Sequence, residues 1–270
     1  MKDLTIKKIV EITDGELVTG NLEDICKSYS KDTRTIKSGD CYIGIKGESF
    51  DGNCFWEKAL ENGADTVIVQ NIDFNEVDKE KWKNKNIIKV KDSLEALYAM
   101  ARYKRSLYDV PVVGVTGSVG KTTTREMIAH VLKGKYKVFE TIGNQNSQVG
   151  VPLTLDHLTS EDEIGVLEMG MSEKGQITTL GNIIHPNVGV VTNVGVSHIE
   201  MMGSRDNICI EKLDIQNGLP EDGVLFLNGD NDMIRKHIDY VKKPYEFYGF
   251  ADDCTYRAEK IREKGGQTLF

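Results

Sequence analysis

An α/β fold with a mainly parallel sheet flanked by helices is what these 270 residues predict, and three observations carry the prediction. The apolar run Val112-Val113-Gly114-Val115-Thr116 leads through a Gly-rich turn into a helical pattern containing Met127, Val131 and Leu132. Two later runs, residues 164–171 and 188–194, are short and apolar, and each delivers polar side chains at its C-terminal end. Strands that are apolar throughout belong to parallel sheets covered on both faces, and such sheets hold ligands at the C-terminal edge of their strands.

The turn carries chemistry of its own, in Gly117-Ser118-Val119-Gly120-Lys121-Thr122-Thr123. Glycines let successive backbone N–H groups face an anion, and the helix beginning near Lys121 adds its positive end. The lysine supplies an ammonium and the threonine a magnesium-binding hydroxyl. A nucleoside triphosphate is the ligand this implies. The loop departs from the usual Gly-x-x-x-x-Gly-Lys-[Ser/Thr] form, because Val115 stands where the first glycine belongs and the nearest glycines are Gly114 and Gly117. A Gly-rich turn followed by a chance Lys-Thr is the alternative, and the flanking strand and helix argue against it.

Further along, Glu168 comes at the end of one apolar run as a candidate magnesium ligand, Asn193 and His198 follow the next, and Lys212 falls on a helix expected over residues 206–217. Taken alone, a Glu or Lys is usually a solvated charge and a lone His a hydrogen-bonded bystander. Their order along one βαβ array is what makes them candidates.

Two domains are expected. The first covers residues 1–84 and the second residues 85–270, with the polar, Lys-rich stretch 78–86 as the boundary. Residues 40–45 read as a short strand bounded by Gly39 and Gly47, while Asp32 and Arg34 read equally well as a turn acid and its ion-pair partner. A strand at 87–90 and an amphipathic helix at 93–107, with Leu94, Leu97 and Ala101 on one face, would lead into the nucleotide-binding strand.

Composition narrows the classes. A formal charge of −8 with scattered acidic residues offers no basic face for nucleic acid. No apolar run reaches the roughly 18 residues of a membrane span, and Lys7-Lys8 with a short apolar pair is no signal peptide. A cytoplasmic, monomeric protein without nucleic-acid or membrane partners is expected. Five cysteines, Cys26, Cys41, Cys54, Cys209 and Cys254, show no Cys-x-x-Cys spacing and read as reduced thiols.

At these motifs the chain resembles the Mur ligases of peptidoglycan synthesis. Thr116-Gly117-Ser118-Val119-Gly120-Lys121-Thr122-Thr123 is similar to their ATP loop, which accounts for the departure at Val115. The run Thr192-Asn193-Val194-Gly195-Val196-Ser197-His198 is similar to their Thr-Asn-x-Gly-x-x-His, and residues 203–208 with Glu211-Lys212 resemble the segment bearing a lysine that is carbamylated in the family. Glu168-Met169-Gly170-Met171 resembles the form in members whose substrates are UDP-N-acetylmuramoyl-tripeptide and D-alanyl-D-alanine.

The amino-terminal third resembles the uridine-nucleotide-binding domain of the same family, with Ser30, Thr33 and Arg34 as implied substrate contacts. Thr33 stands where the family has Ser in Asp-Ser-Arg, and Asn53 where it has His in Asp-Gly-His. Residues 143–152 are similar to a family loop that faces the UDP-sugar peptide, implying Asn144, Asn146 and Ser147 there, although the family has Asn at the last of these positions.

The resemblance therefore implies a small N-terminal α/β uridine-nucleotide-binding domain followed by a P-loop central domain, with ATP and Mg2+ as cofactors. Lys121 and the amides of residues 117–122 would hold the phosphates, with Thr122 and Glu168 on one magnesium and His198 with carbamylated Lys212 on a second. A third, Rossmann-like domain of the family is expected to be absent, the match running out at residues 264–270, where a strand pair begins. A catalytically incomplete ATP- and UDP-sugar-binding module, another Mur ligase adding a different amino acid, and an unrelated P-loop ATPase or kinase stay open as alternatives.

Overall fold

The computed structural model describes residues 4–47, 49–265 and 267–269, and the chain divides into two compact units. The first runs to Tyr108 and also contains Pro152–Ser160; the second comprises Asp109–Val151 and Glu161–Phe270.

In the first unit, β1 (Leu4–Thr5) leads into α1 (Ile6–Thr13), whose start is capped where Thr5 Oγ1 accepts the Lys8 N–H at 3.2 Å. There follow β2 (Glu16–Thr19), β3 (Ile25–Cys26), β4 (Ser28–Ser30), β5 (Asp40–Ile43), α2 (Trp56–Glu61), β6 (Thr66–Val69), β7 (Asn86–Lys89) and α3 (Ser93–Ser106). Strands β4, β5, β6 and β7 are mutually parallel, β2 closes the sheet antiparallel on β7, and β1 pairs with β3 apart from it. All four residues of β6 are buried, the continuous apolar pattern of a strand covered on both faces. Tyr42, Leu60, Val67, Trp82 and Ile87 build one core cluster, and α3 turns Leu97, Met100 and Ala101 inward behind its Asp92 cap.

The expected boundary near residue 84 is displaced. Residues 87–90, read as the lead into the second domain, belong to the first: Ile87 and Ile88 lie in β7, buried between β6 and β2. The Lys-rich stretch before them is a surface loop anchored by buried Trp82, and the unit ends only after α3. Its detached part is held by Asp156, whose Oδ2 accepts from Ser28 Oγ at 2.5 Å and from Tyr29 N at 3.1 Å.

The second unit contains β8 (Val112–Thr116), α4 (Lys121–Leu132), β9 (Val138–Glu140), α5 (Gly150–Leu155, shared with the first unit), β10 (Ile164–Glu168), α6 (Gln176–Ile184), β11 (Val188–Val191), α7 (Ile199–Met202), α8 (Arg205–Leu213), β12 (Val224–Asn228), α9 (Asp232–Lys236), β13 (Tyr245–Gly249) and β14 (Tyr256–Arg257). A small antiparallel pair, β15 (Arg262–Lys264) and β16 (Gln267–Leu269), meets the expected strand pair, of which Gly266 and Phe270 lie outside the described residues. The main sheet has the order β14-β13-β12-β11-β8-β10-β9, every neighbouring pair parallel. Because β10 lies on one side of β8 and β11 on the other, the chain changes direction across β8, and the C-terminal ends of these three strands form the crevice where such sheets bind ligands.

Helix α4 packs differently from the sequence pattern. Leu132 faces the sheet with Ile128 and Ala129, whereas Met127 and Val131 are 59% and 76% exposed. The buried stripe begins at Arg125, which its ion pair with Glu140 at 3.1 Å makes tolerable inside, and a charged residue at a core position hides the true face from hydrophobic periodicity.

Candidate active site

The loop after β8 depends on two glycines in the left-handed region, Gly117 at φ +153° and Gly120 at φ +82°. Gly120 is the N-cap of α4, and Thr124 is the first residue whose N–H finds a carbonyl one turn back, on Gly120 at 2.9 Å. The N–H groups of Lys121, Thr122 and Thr123 are therefore left without helical acceptors at the positive end of the helix, an anion site by construction.

Not all the expected phosphate donors are free. Asn193 takes two of them, its carbonyl accepting the Ser118 N–H and its side-chain Oδ1 the Val119 N–H, both at 3.0 Å. Thr192 Oγ1 donates to the Val119 carbonyl at 2.6 Å, and the Gly195 N–H donates to Ser118 Oγ at 2.9 Å. The segment after β11 thus moulds the loop, and Asn193 acts on it from behind. The Lys121 ammonium donates to Gly117 O at 3.0 Å, which keeps it folded over the loop.

Glu168 ends β10 and is 2% exposed. Its Oε2 accepts from Thr122 Oγ1 at 2.9 Å, its Oε1 from Asn146 Nδ2 at 2.8 Å, and its N–H donates to Thr141 Oγ1 at 2.7 Å. Thr122 and Glu168, read from the sequence as one ligand set, are thus brought together. Asn146 and Thr141 are partners of Glu168 that sequence reading missed; the one available signal was that Thr141 follows β9 at the same sheet edge.

An open cleft of about 390 Å³ in the second unit is lined by Gly117, Ser118 and Lys121 from the loop, by residues 146–149, and by Gln176, His198 and Lys212. His198 is exposed in a left-handed conformation, φ 63°, at the start of α7. Among the described residues the side-chain amine of Lys212 has no hydrogen-bonding or ion-pair partner, although the residue is 2% exposed on α8. Burial, and next the positive charge of Lys121, push its amine down to about 8, with Glu211 and Cys209 working in the opposite direction. Glu211 itself caps α6, accepting the Gly175 and Ile177 N–H groups at 2.7 and 2.8 Å, a role without a sequence signal.

The other candidates are quieter. Asn144 is exposed, and Ser147 lines the cleft while its Oγ accepts the Gly150 N–H at 3.2 Å. In the first unit, Ser30 Oγ accepts the Asp32 N–H at 3.1 Å, half-buried Thr33 offers its carbonyl to Asn62, and exposed Arg34 forks onto Asp32 at 2.9 and 2.7 Å. The turn-acid and ion-pair reading of Asp32 and Arg34 describes this geometry, and the fork holds the Asp32 carboxyl down at about 2. Asn53 is buried, its Oδ1 accepting the Gln70 N–H at 2.9 Å, so it ties the turn at residues 52–55 to the end of β6. Among the described residues no three His, Cys, Asp or Glu side chains gather as a metal cluster. None of the described helices is long and apolar enough to cross a membrane.

Residues 115–270 match the family profile of the Mur ligase middle domain, and residues 27–105 that of the Mur ligase family, catalytic domain. The chain belongs to the Mur ligase family. Among relatives within it, the UDP-N-acetylmuramoyl-tripeptide--D-alanyl-D-alanine ligase of Bacillus subtilis (strain 168) is 40% identical over 98% of this chain and 57% of its own length. The corresponding ligase of Escherichia coli (strain K12) is 32% identical over 86% and 49%. Two solved Mur ligase structures share the fold. MurF from Acinetobacter baumannii gives a TM-score of 0.86 at 27% identity, covering 97% of this chain and 56% of the other. MurF from Thermotoga maritima in complex with ADP gives 0.79 at 33%, covering 90% and 55%. This chain spans about half the length of these Mur ligases.

Proposed function

We propose that this chain supplies the nucleotide- and acyl-substrate-binding part of an ATP-dependent amide ligase, one that joins D-alanyl-D-alanine to UDP-N-acetylmuramoyl-tripeptide through an acyl phosphate. The observation that carries the reading is one cleft on which the phosphate loop, Lys121, His198 and the buried, unpaired amine of Lys212 converge. The names of the relatives supply the substrate classes.

A carboxylate is a poor electrophile. Attack of the tripeptide carboxylate on the γ-phosphorus of ATP releases ADP and leaves a mixed anhydride, whose carbonyl the incoming amine attacks as phosphate departs. Two anions must approach each other in the first step, so the protein's task is alignment and charge neutralisation. Lys121 and the N–H groups of Lys121, Thr122 and Thr123 are the donors for the transferred phosphoryl group.

The hydroxyl of Thr122 and the carboxylate of Glu168 form a hard oxygen pair that fits Mg2+, an ion that takes one or two carboxylates together with phosphate oxygens. Bound there it would neutralise charge developing on the phosphates. His198 and Lys212 would serve a second cation once the amine has added CO2 and lost a proton, becoming a carbamate. Ser30, Thr33 and Arg34 are the candidates for the uridine nucleotide, and Asn144 and Ser147 for the peptide end of the substrate. Acting on soluble nucleotides, the protein would work in the cytoplasm.

The test is ADP release from ATP. In a Mur ligase carrying this sequence it should require both UDP-N-acetylmuramoyl-tripeptide and D-alanyl-D-alanine, and in the 270-residue chain ADP binding should disappear on Lys121→Ala. Preference for a diamino acid over the dipeptide would overturn the substrate assignment.

A further inference from the structure

We infer that Asn146 is the positioning residue for the Glu168 carboxylate, and that through it residues 143–150 set how tightly the nucleotide-bound cation is held. The inference rests on the reading of Thr122 and Glu168 as cation ligands. Glu168 is buried, and among the described residues no Lys or Arg pairs with it. Its charge depends on two neutral donors, one per oxygen: Thr122 Oγ1 on Oε2 and Asn146 Nδ2 on Oε1.

The two donors are not equivalent. A hydroxyl can give its proton to Oε2 and still turn a lone pair toward a cation, whereas an amide nitrogen has only N–H to offer. Asn146 therefore cannot be a ligand through that atom. It occupies Oε1 and leaves the carboxylate to present Oε2 beside the Thr122 hydroxyl, the one-oxygen presentation that suits a small octahedral ion.

Asn146 is itself fixed. Its carbonyl accepts the Gly170 N–H at 2.7 Å, its N–H donates to Asn144 O at 2.9 Å, and a Cβ on Gly170 would come within 3.1 Å of both Asn146 O and Oδ1. A side chain at 170 would thus oblige the Asn146 segment to give by a few tenths of an ångström. The residues that follow, Ser147, Gln148 and Val149, line the cleft, so a substrate touching them acts on Glu168 through Asn146. This stands beside the substrate-binding role expected of Asn146 from sequence, since the bond to Glu168 commits one of the two side-chain N–H donors.

The experiment is calorimetric titration of ADP into the 270-residue chain, with Mg2+ and with EDTA, backed by electron paramagnetic resonance of Mn2+ bound beside ADP. Asn146→Ala and Asn146→Leu should lose roughly 10- to 100-fold of the metal-dependent tightening, the range for removing a group that orients a metal ligand, and bind Mn2+ correspondingly less. ADP affinity in EDTA serves as the folding control. Variants as responsive to Mg2+ as the wild type, but weaker for a UDP-sugar peptide, would overturn the positioning role alone. A wild-type chain indifferent to Mg2+ would overturn the cation reading of Glu168 and this inference with it.

Discussion

A Cβ on Gly117 would stand 1.8 Å from Thr192 Oγ1, so the first glycine of the phosphate loop is dictated by the segment that follows β11. Thr192 cannot swing away at no cost, because its hydroxyl is held by the Val119 carbonyl at 2.6 Å and its N–H by Thr116 O at 2.9 Å. The need for glycine at 117 thus has a local cause: the segment after β11 is packed into the turn.

Gly117→Ala is accordingly expected to destabilise the second unit by about 1–3 kcal/mol, the range for forcing extra atoms into a packed site, and to weaken ADP binding at least tenfold. Thermal melting and ADP titration measure both. Adding Thr192→Ala removes the clashing oxygen and should restore part of the lost stability, and an unimproved double variant would mean that the collision is not the cause.

Asn193→Ala removes the acceptor of the Val119 N–H but keeps the main-chain bond to Ser118. One neutral hydrogen bond contributes about 1 kcal/mol to stability, so the melting temperature should fall by about 2–4 °C and ADP affinity by no more than roughly fivefold. An effect as large as that of Lys121→Ala would instead place the Asn193 side chain on the nucleotide.

What could be read from the sequence was what is local. Residues 112–123 carry strand, turn and helix start in one unbroken stretch, and Glu168 ends a strand whose apolar run is itself contiguous. The bonds that give the loop its shape were not readable, since Ser118 and Val119 are served by a residue more than seventy positions away. The displaced domain boundary has the same origin: β7 belongs with β6 and β2 through non-local pairing that polarity in residues 78–86 cannot report. On α4 the error was of another kind, for Arg125 is buried by an ion pair and a charge at a core position inverts the apparent face.

Asp156 anchors residues 152–160 to the first unit, and burial raises its pKa despite the donors Ser28 and Tyr29 and the nearby charges of Lys104 and His157. A carboxyl whose folded pKa lies above its unfolded value favours the native state while protonated, and that contribution is lost as pH rises through the folded value. Both hydrogen bonds land on Oδ2, and an amide oxygen can accept both. Asp156→Asn should therefore melt higher than the wild type at pH 7, the difference closing as pH drops below the ordinary aspartate value of about 3.9. Melting curves across that range check it, and a variant less stable at pH 7 would show that the charge itself is needed.

Lys212 offers the sharpest pH signature. Its amine titrates at about 8 in place of 10.5, chiefly because it is buried and next because Lys121 repels its charge. The sign follows from proton counting. Below pH 8 the native lysine is charged and the burial penalty is fully present. Between about 8 and 10.5 the unfolded chain holds more protons than the native one, so stability rises with pH, and above that window the penalty has gone. At 1.36 kcal/mol per pH unit the penalty at neutral pH is on the order of 3 kcal/mol. Lys212→Met should thus raise the melting temperature at pH 7, with the advantage shrinking from pH 8 upward. The same shift leaves roughly a tenth of the amine neutral at pH 7, far more than an ordinary lysine, and only the neutral amine can add CO2. Carbon-13 NMR of the chain under labelled CO2 should show a carbamate signal that strengthens through pH 8 and is missing in Lys212→Met. In an active ligase carrying this sequence, Lys212→Ala should lose activity and regain part of it with a small carboxylic acid that fills the vacated position. Full activity in Lys212→Ala without added acid would rule out the carbamate as a ligand.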